Sequence, residues 1–117
     1  MDAGRGPAAG FRALKGALCH LDDLPDGAAK GFGSFFIVRR GGVVFGYEDR
    51  CPHYGDTPLA WRSDAYMSGD GAHIACHAHG ALFVIETGEC LAGPCLGQRL
   101  LPIRLLLRGD GWIFRLP

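Results

Sequence analysis

Hydrophobic and polar positions along this chain fall into short, strand-sized runs divided by glycine. Phe35-Phe36-Ile37-Val38-Arg39-Arg40 and Val43-Val44-Phe45-Gly46-Tyr47-Glu48 are two β-rich runs separated only by Gly41-Gly42, which predicts a tight β-hairpin. Residues 101–108 and 112–116 flank Gly109-Asp110-Gly111 and repeat that logic. The two hairpins are expected to share one sheet system. Residues 13–20 read as a short first strand or turn, and Asp22-Asp23-Leu24-Pro25-Asp26-Gly27 as a solvated turn. The middle, residues 49–95, is only weakly periodic apart from strand-like runs at 72–76 and 81–86. No stretch keeps apolar residues at helical spacing beyond one or two turns, and there is no internal repeat. The expectation is an all-β fold: a flexible leader at residues 1–12, then one domain over 13–117 that carries a loop-built site at about 49–95.

Composition supports this picture and narrows the function. The 19 glycines and 7 prolines in 117 residues favour short strands joined by turns. A hydrophobic content of 48% supplies a core. Twelve Lys+Arg balance twelve Asp+Glu, which excludes a general electrostatic binder of nucleic acid or membrane surfaces. The first residues contain no apolar run of signal-peptide length, no later run is long enough to span a bilayer, and Arg39-Arg40 lies mid-chain rather than in an export signal. A soluble cytoplasmic protein is expected. Gly4, Gly6 and Gly10 do not have phosphate-loop or dinucleotide spacing.

Five cysteines and five histidines are the unusual feature. An odd cysteine count does not suit a fully paired secreted framework, and clustered Cys and His in a reducing compartment point to metal. Two motifs carry the clustering: Cys51-Pro52-His53, a C-x-H, and Cys76-His77-Ala78-His79-Gly80, a C-x-x-H with a turn glycine. Each offers one thiolate and one imidazole. Tetrahedral zinc accepts such a set. So does a [2Fe–2S] cluster in which two His replace two Cys on one iron. Ligand type alone leaves both open.

The two motifs resemble the C-x-H … C-x-x-H pattern of Rieske [2Fe–2S] proteins. The likeness extends to residues 81–88, similar to the strand and turn after the second Rieske loop, to Gly93-Pro94, similar to the proline loop over the cluster, and to the final hairpin. It covers roughly residues 15–117 and implies a Rieske (ISP-domain-like) fold of stacked antiparallel sheets. By this resemblance one cluster is bound, with Cys51 and Cys76 on the inner iron and His53 and His79 on the outer iron near the surface. The 22 residues from Tyr54 to Ala75 are more than the usual Rieske interval, and the excess around residues 63–71 reads as a polar surface insertion.

The resemblance also selects a branch. The cysteines that staple the two loops in membrane-complex Rieske proteins correspond here to Asp56 and Ala78, so that staple is absent. The Ser and Tyr hydroxyls that donate to sulfur in the high-potential branch correspond to Ala81 and Phe83, which have no donor. Hydrogen bonds to sulfur stabilise the reduced form, so a low potential for this cluster type is implied. The resemblance therefore points to a Rieske-type ferredoxin, an electron carrier and not an enzyme. It would be a monomer that docks transiently, near His53 and His79, with a flavin reductase and an oxygenase. A tightly held subunit of a larger reductase or oxygenase, a redox or iron sensor, and a structural zinc protein are the competing readings.

The remaining candidates are weighed against plain structural roles. His20, beside Cys19, and His73 read as scaffold, and His77 as a solvent-facing residue between ligands. Tyr47, Tyr54 and Trp61 read as packing. Cys90 and Cys95 flank Gly93-Pro94 and fit either two small buried residues or thiols that form a regulatory disulfide or tune the cluster's surroundings.

Overall fold

The computed structural model describes residues 16–52, 58–60, 62–78 and 80–117. Among these residues lie strands β1 (Ala17–His20), β2 (Ala29–Gly31), β3 (Phe35–Arg40), β4 (Val43–Glu48), β5 (Ile74–Cys76), β6 (Ala81–Phe83), β7 (Cys90–Ala92), β8 (Leu105–Leu107) and β9 (Trp112–Arg115). They form three antiparallel three-stranded sheets, ordered β1-β9-β8, β2-β3-β4 and β5-β6-β7. The helical content of the described residues is one 3-10 turn, Leu21–Asp23. This is the all-β architecture expected from the sequence.

The hairpin at Gly41-Gly42 forms with unbroken register, from Phe35↔Glu48 to Arg40↔Val43. The terminal hairpin forms too, but it is shorter than residues 101–116 suggested and lies in a different sheet, where β9 also pairs with β1. The sheet system the two hairpins were expected to share is two sheets joined by a seam. Glu48 N–H donates to Leu101 O (2.8 Å) and Ile103 N–H to Gly46 O (3.0 Å), on either side of the pair Tyr47↔Pro102. Pro102 has no N–H, so the ladder does not continue as a regular strand there. Gly46 allows the close approach: a Cβ on it would stand 2.6 Å from Ile103 Cγ1.

Strand β3 positions the rest. Phe35, Phe36, Ile37 and Val38 are all buried. Because side chains alternate across a strand, Phe36 and Val38 enter one core, with Tyr47, Leu59, Phe83 and four of the cysteines. Phe35 and Ile37 enter a second, with Cys19, Leu24 and Ile113. Cys19 and His20 point to opposite faces of β1, as expected: Cys19 is in the core, while His20 caps the 3-10 turn. Its Nδ1 accepts from Asp22 N–H (3.0 Å) and its Nε2 faces Asp110 O (2.8 Å). His20 is scaffold, and Asp23 completes the cap by accepting from His20 N–H (3.1 Å).

One expectation is corrected in part. The excess around residues 63–71 is not simply a surface insertion. Tyr66 is 4% exposed and its ring stacks on Phe36, with centroids 4.2 Å apart at 8°. Its hydroxyl donates to Asp49 Oδ2 (2.7 Å), and Asp64 Oδ1 accepts from Gly31 N–H (2.8 Å). A polar run conceals one aromatic whose partners lie far along the chain. Strands β2 and β7, three residues each, carry no strand signal of their own and form by pairing with β3 and β6.

Tyr66→Phe keeps the stack and removes the donor to Asp49. It is expected to cost about 1–3 kcal/mol, read as a lower denaturation midpoint at unchanged slope. Tyr47 donates to Ile85 O (2.7 Å), and burial, then the charge of Glu86, push its phenol from 10.0 up to about 12. A folded-state value above the unfolded one means this contribution is complete below pH 10.0 and is lost as pH rises towards about 12. Alkaline unfolding curves should show that decline, and Tyr47→Phe should flatten it.

Candidate metal centre

The two motif cysteines occupy equivalent places in the structure. Cys51 follows the end of β4 and Cys76 ends β5. Both are 0% exposed and both belong to the core on the Phe36 side of β3. Cys76 pairs with Ala81 across the β5–β6 hairpin, so His77, Ala78 and Gly80 lie at its tip, where Gly80 N–H donates to Cys76 O (2.8 Å). His77 and Ala78 are exposed there, which agrees with the solvent-facing reading of His77. His53 and His79 lie outside the described residues, as do Tyr54, Asp56 and Trp61.

A clasp joins the two loops. Asp49, two residues before the first motif, accepts from Leu59 N–H (2.9 Å) through Oδ1, while Oδ2 takes the Tyr66 hydroxyl. Leu59 O in turn accepts from His77 N–H (2.9 Å), inside the second motif. Leu59 itself is 0% exposed. Sequence reasoning missed Asp49 and Leu59. A carboxylate just ahead of a C-x-H was the available signal, and its partners are all remote in the chain.

The cysteines divide by surroundings, and none is in a disulfide. Cys19 sits apart in the other core, where burial, then the charge of Asp23, push its thiol up to about 11. Cys90 and Cys95 are buried beside the candidate centre with their sulfurs 3.1 Å apart. Cys90 Sγ donates to Ala92 O at 3.2 Å. Burial above all, then Cys90 and Cys51, push the Cys95 thiol up to about 12. His73 contributes main-chain bonds with Ser68 and is scaffold.

Among the described residues no group of three or more His, Cys, Asp and Glu side chains is gathered as for a metal ion. What the described part offers is two buried sulfurs at the mouths of two clasped loops. That donor set suits an iron–sulfur centre, for which buried thiolates are the natural inner ligands.

No curated protein matches the chain in sequence. Its fold is similar to the ferredoxin of carbazole 1,9a-dioxygenase from Nocardioides aromaticivorans IC177, with TM-score 0.67 and 24% identity over 86% of this chain and 95% of that one. It is also similar to a Sphingomonas yanoikuyae B1 ferredoxin (TM-score 0.64, 24% identity, covering 86% and 97%). A third likeness is to a chain of the complex of reduced oxygenase and oxidised ferredoxin in carbazole 1,9a-dioxygenase (TM-score 0.64, 23% identity, covering 85% and 90%). The family model described as the Rieske [2Fe-2S] domain matches residues 15–107, most of the chain. With buried cysteines placed at the mouths of both motif loops, the chain belongs to the Rieske [2Fe-2S] domain family, whose cofactor is the [2Fe–2S] cluster.

Proposed function

We propose that this protein is a single-electron carrier that receives electrons from a reductase, of flavin type, and delivers them to an oxygenase or related enzyme. In this reading Cys51 and Cys76 hold the inner iron of one cluster, and His53 and His79 the outer iron. The observation that carries it is the pair of fully buried sulfurs on loops tied together through Leu59, within a Rieske domain. When bound, the cluster supplies a one-electron couple. The partner class is supported by the ferredoxins of similar fold, one of which forms a complex with its oxygenase.

The chain's own residues fit such a carrier. The sulfur end is closed off by Leu59, Phe83 and Ile85, while the loop tip at His77 and Ala78 is open to solvent. Leu91 and Leu96, 48% and 67% exposed, add an apolar surface to the segment around Gly93-Pro94, suited to brief docking. Ala81 and Phe83 are 0% exposed and present no donor to sulfur, which favours a low potential for this cluster type. No helix of the described residues is long and apolar enough to cross a membrane, and the odd cysteine count suits a reducing cytoplasm. The segment around Gly93-Pro94 is pressed onto β6. A Cβ on Gly93, at φ +103, would stand 2.7 Å from Ala81 Cα, directly beside the residue that pairs with Cys76.

Aerobically purified full-length protein should be red-brown and contain about two irons and two acid-labile sulfides per chain. Colourless protein holding one zinc refutes the reading. His53→Cys should retain a cluster but lower its midpoint potential, because a thiolate adds negative charge where an imidazole adds none. Gly93→Ala should cost about 1–3 kcal/mol and bleach faster in chelator, since the added methyl meets backbone rather than a movable side chain.

A further inference from the structure

Tyr66 lies in the long interval between the two motifs, and its two ends are tied to different motifs. Its main-chain O accepts from the N–H of Ala75 (2.8 Å), the residue before Cys76. Its hydroxyl donates to Asp49 Oδ2 (2.7 Å), two residues before Cys51. The main-chain end belongs to a short hairpin that runs into β5. Met67 pairs with Ile74, and Ser68 N–H donates to His73 O (2.8 Å). Asp70 Oδ1 turns the chain by accepting from Ser68 Oγ (2.6 Å) and Ala72 N–H (3.0 Å). The place of Tyr66 is therefore linked by register to that of Cys76.

The phenol has little room to tilt. One face stacks on Phe36, and a Cβ on Gly31 would stand 2.7 Å from the hydroxyl oxygen. Asp49 is held as firmly. Its N–H donates to Ser34 O (3.0 Å), and its other carboxylate oxygen takes Leu59 N–H. Leu59 O in turn takes His77 N–H. Two routes thus leave the Asp49 carboxylate and end on either side of Cys76: one through Tyr66 to Ala75, one through Leu59 to His77. Filling the core needs only the ring of Tyr66. The hydroxyl adds the span between the two loops.

We propose that Tyr66 is a positioning residue of the metal centre, whose side chain fixes the Cys51 loop relative to the Cys76 strand. The consequence for a cluster rests on the ligand reading proposed above. The inference gives the excess residues between the motifs a role: they supply a brace that sets the relation of the two sulfur-bearing loops without contributing a ligand. Gly31 has a part in it as well, because the absence of a Cβ there leaves space for the hydroxyl.

The test is hydrogen exchange read by mass spectrometry, together with bleaching in chelator, on full-length cluster-loaded protein. Tyr66→Phe keeps the ring and loses the span. Amides of residues 49–51 and of residues 74–78 should both exchange about tenfold faster, the factor for one buried hydrogen bond, and the cluster should bleach faster by about the same factor. Gly31→Ala keeps every hydrogen-bonding group but displaces the hydroxyl, so it should act in the same direction. Ile113→Val, in the other core, weakens the fold away from the brace and should leave both readouts within about twofold of the parent. Parent-like exchange in Tyr66→Phe and Gly31→Ala overturns the proposal. So does acceleration confined to residues 62–73, or acceleration that Ile113→Val equals. If Tyr66→Phe does not hold its cluster, Gly31→Ala decides by the same two readouts. Iron and sulfide content of the parent tests the ligand reading separately: a parent without two irons fails that reading, while the exchange arm still reads the brace.

Discussion

Burial of β3 on both faces is the constraint on which this structure depends. Each of the three sheets has only three strands, too few to enclose a core alone, so one strand must serve two cores. Phe36 and Val38 close the core that contains the motif cysteines, and Phe35 and Ile37 close the core beneath β1 and β9. A slip of one residue would exchange these faces and bury each pair against the wrong partners. The six-pair register with β4 prevents it, and the same register determines where β4 ends and therefore where Cys51 enters the core. The site is an extension of the register rather than a loop appended to it.

This explains why parts of the fold were legible and others were not. The Gly41-Gly42 hairpin, the terminal hairpin and the two Cys/His motifs are local patterns, each decided within about a dozen residues; both hairpins have a counterpart in the structure, and the two motif cysteines are buried. The seam between the hairpin sheets, the burial of Tyr66 and the clasp through Asp49 are not local. Tyr66 sits in a polar run that reads as surface, and only the Phe36 ring and the Asp49 carboxylate, remote in sequence, draw it inward. Strands β2 and β7 are recruited by neighbours rather than by their own composition. His53 and His79 were legible by motif and lie outside the described residues. Cys90 and Cys95 were noticed for their position, while their opposed sulfurs are known only from the fold.

The five cysteines show how one residue type acquires different chemistry from its surroundings. Cys19 is a small apolar filler against Ile113 and has no sulfur neighbour in its core. Cys51 and Cys76 are buried as deeply, but each begins a loop, so each sulfur lies at a boundary between packed core and loop. Cys90 and Cys95 face each other with sulfurs 3.1 Å apart, and Cys90 Sγ also reaches a carbonyl, Ala92 O, so their neighbours are unlike those of the other three. Counting cysteines cannot separate these cases. Location relative to strand ends can.

An electron carrier must be open enough to dock and stiff enough that gaining one negative charge moves little. If this chain is the carrier proposed above, those requirements fall to different atoms. Openness comes from the exposed side chains of His77, Leu91 and Leu96. Stiffness comes from main-chain bonds and buried carbons beneath them: Leu59 O to His77 N–H, Gly80 N–H to Cys76 O, and Gly93 against Ala81. That restraint is largely backbone, so it does not depend on which side chains Leu91 and Leu96 carry. A chain of neutral net charge adds no strong field of its own, so in that proposed role partner choice would rest on this small surface. The glycines that mark the sequence therefore have a structural part in the site: Gly80 and Gly93 let backbone, rather than side chains, hold it.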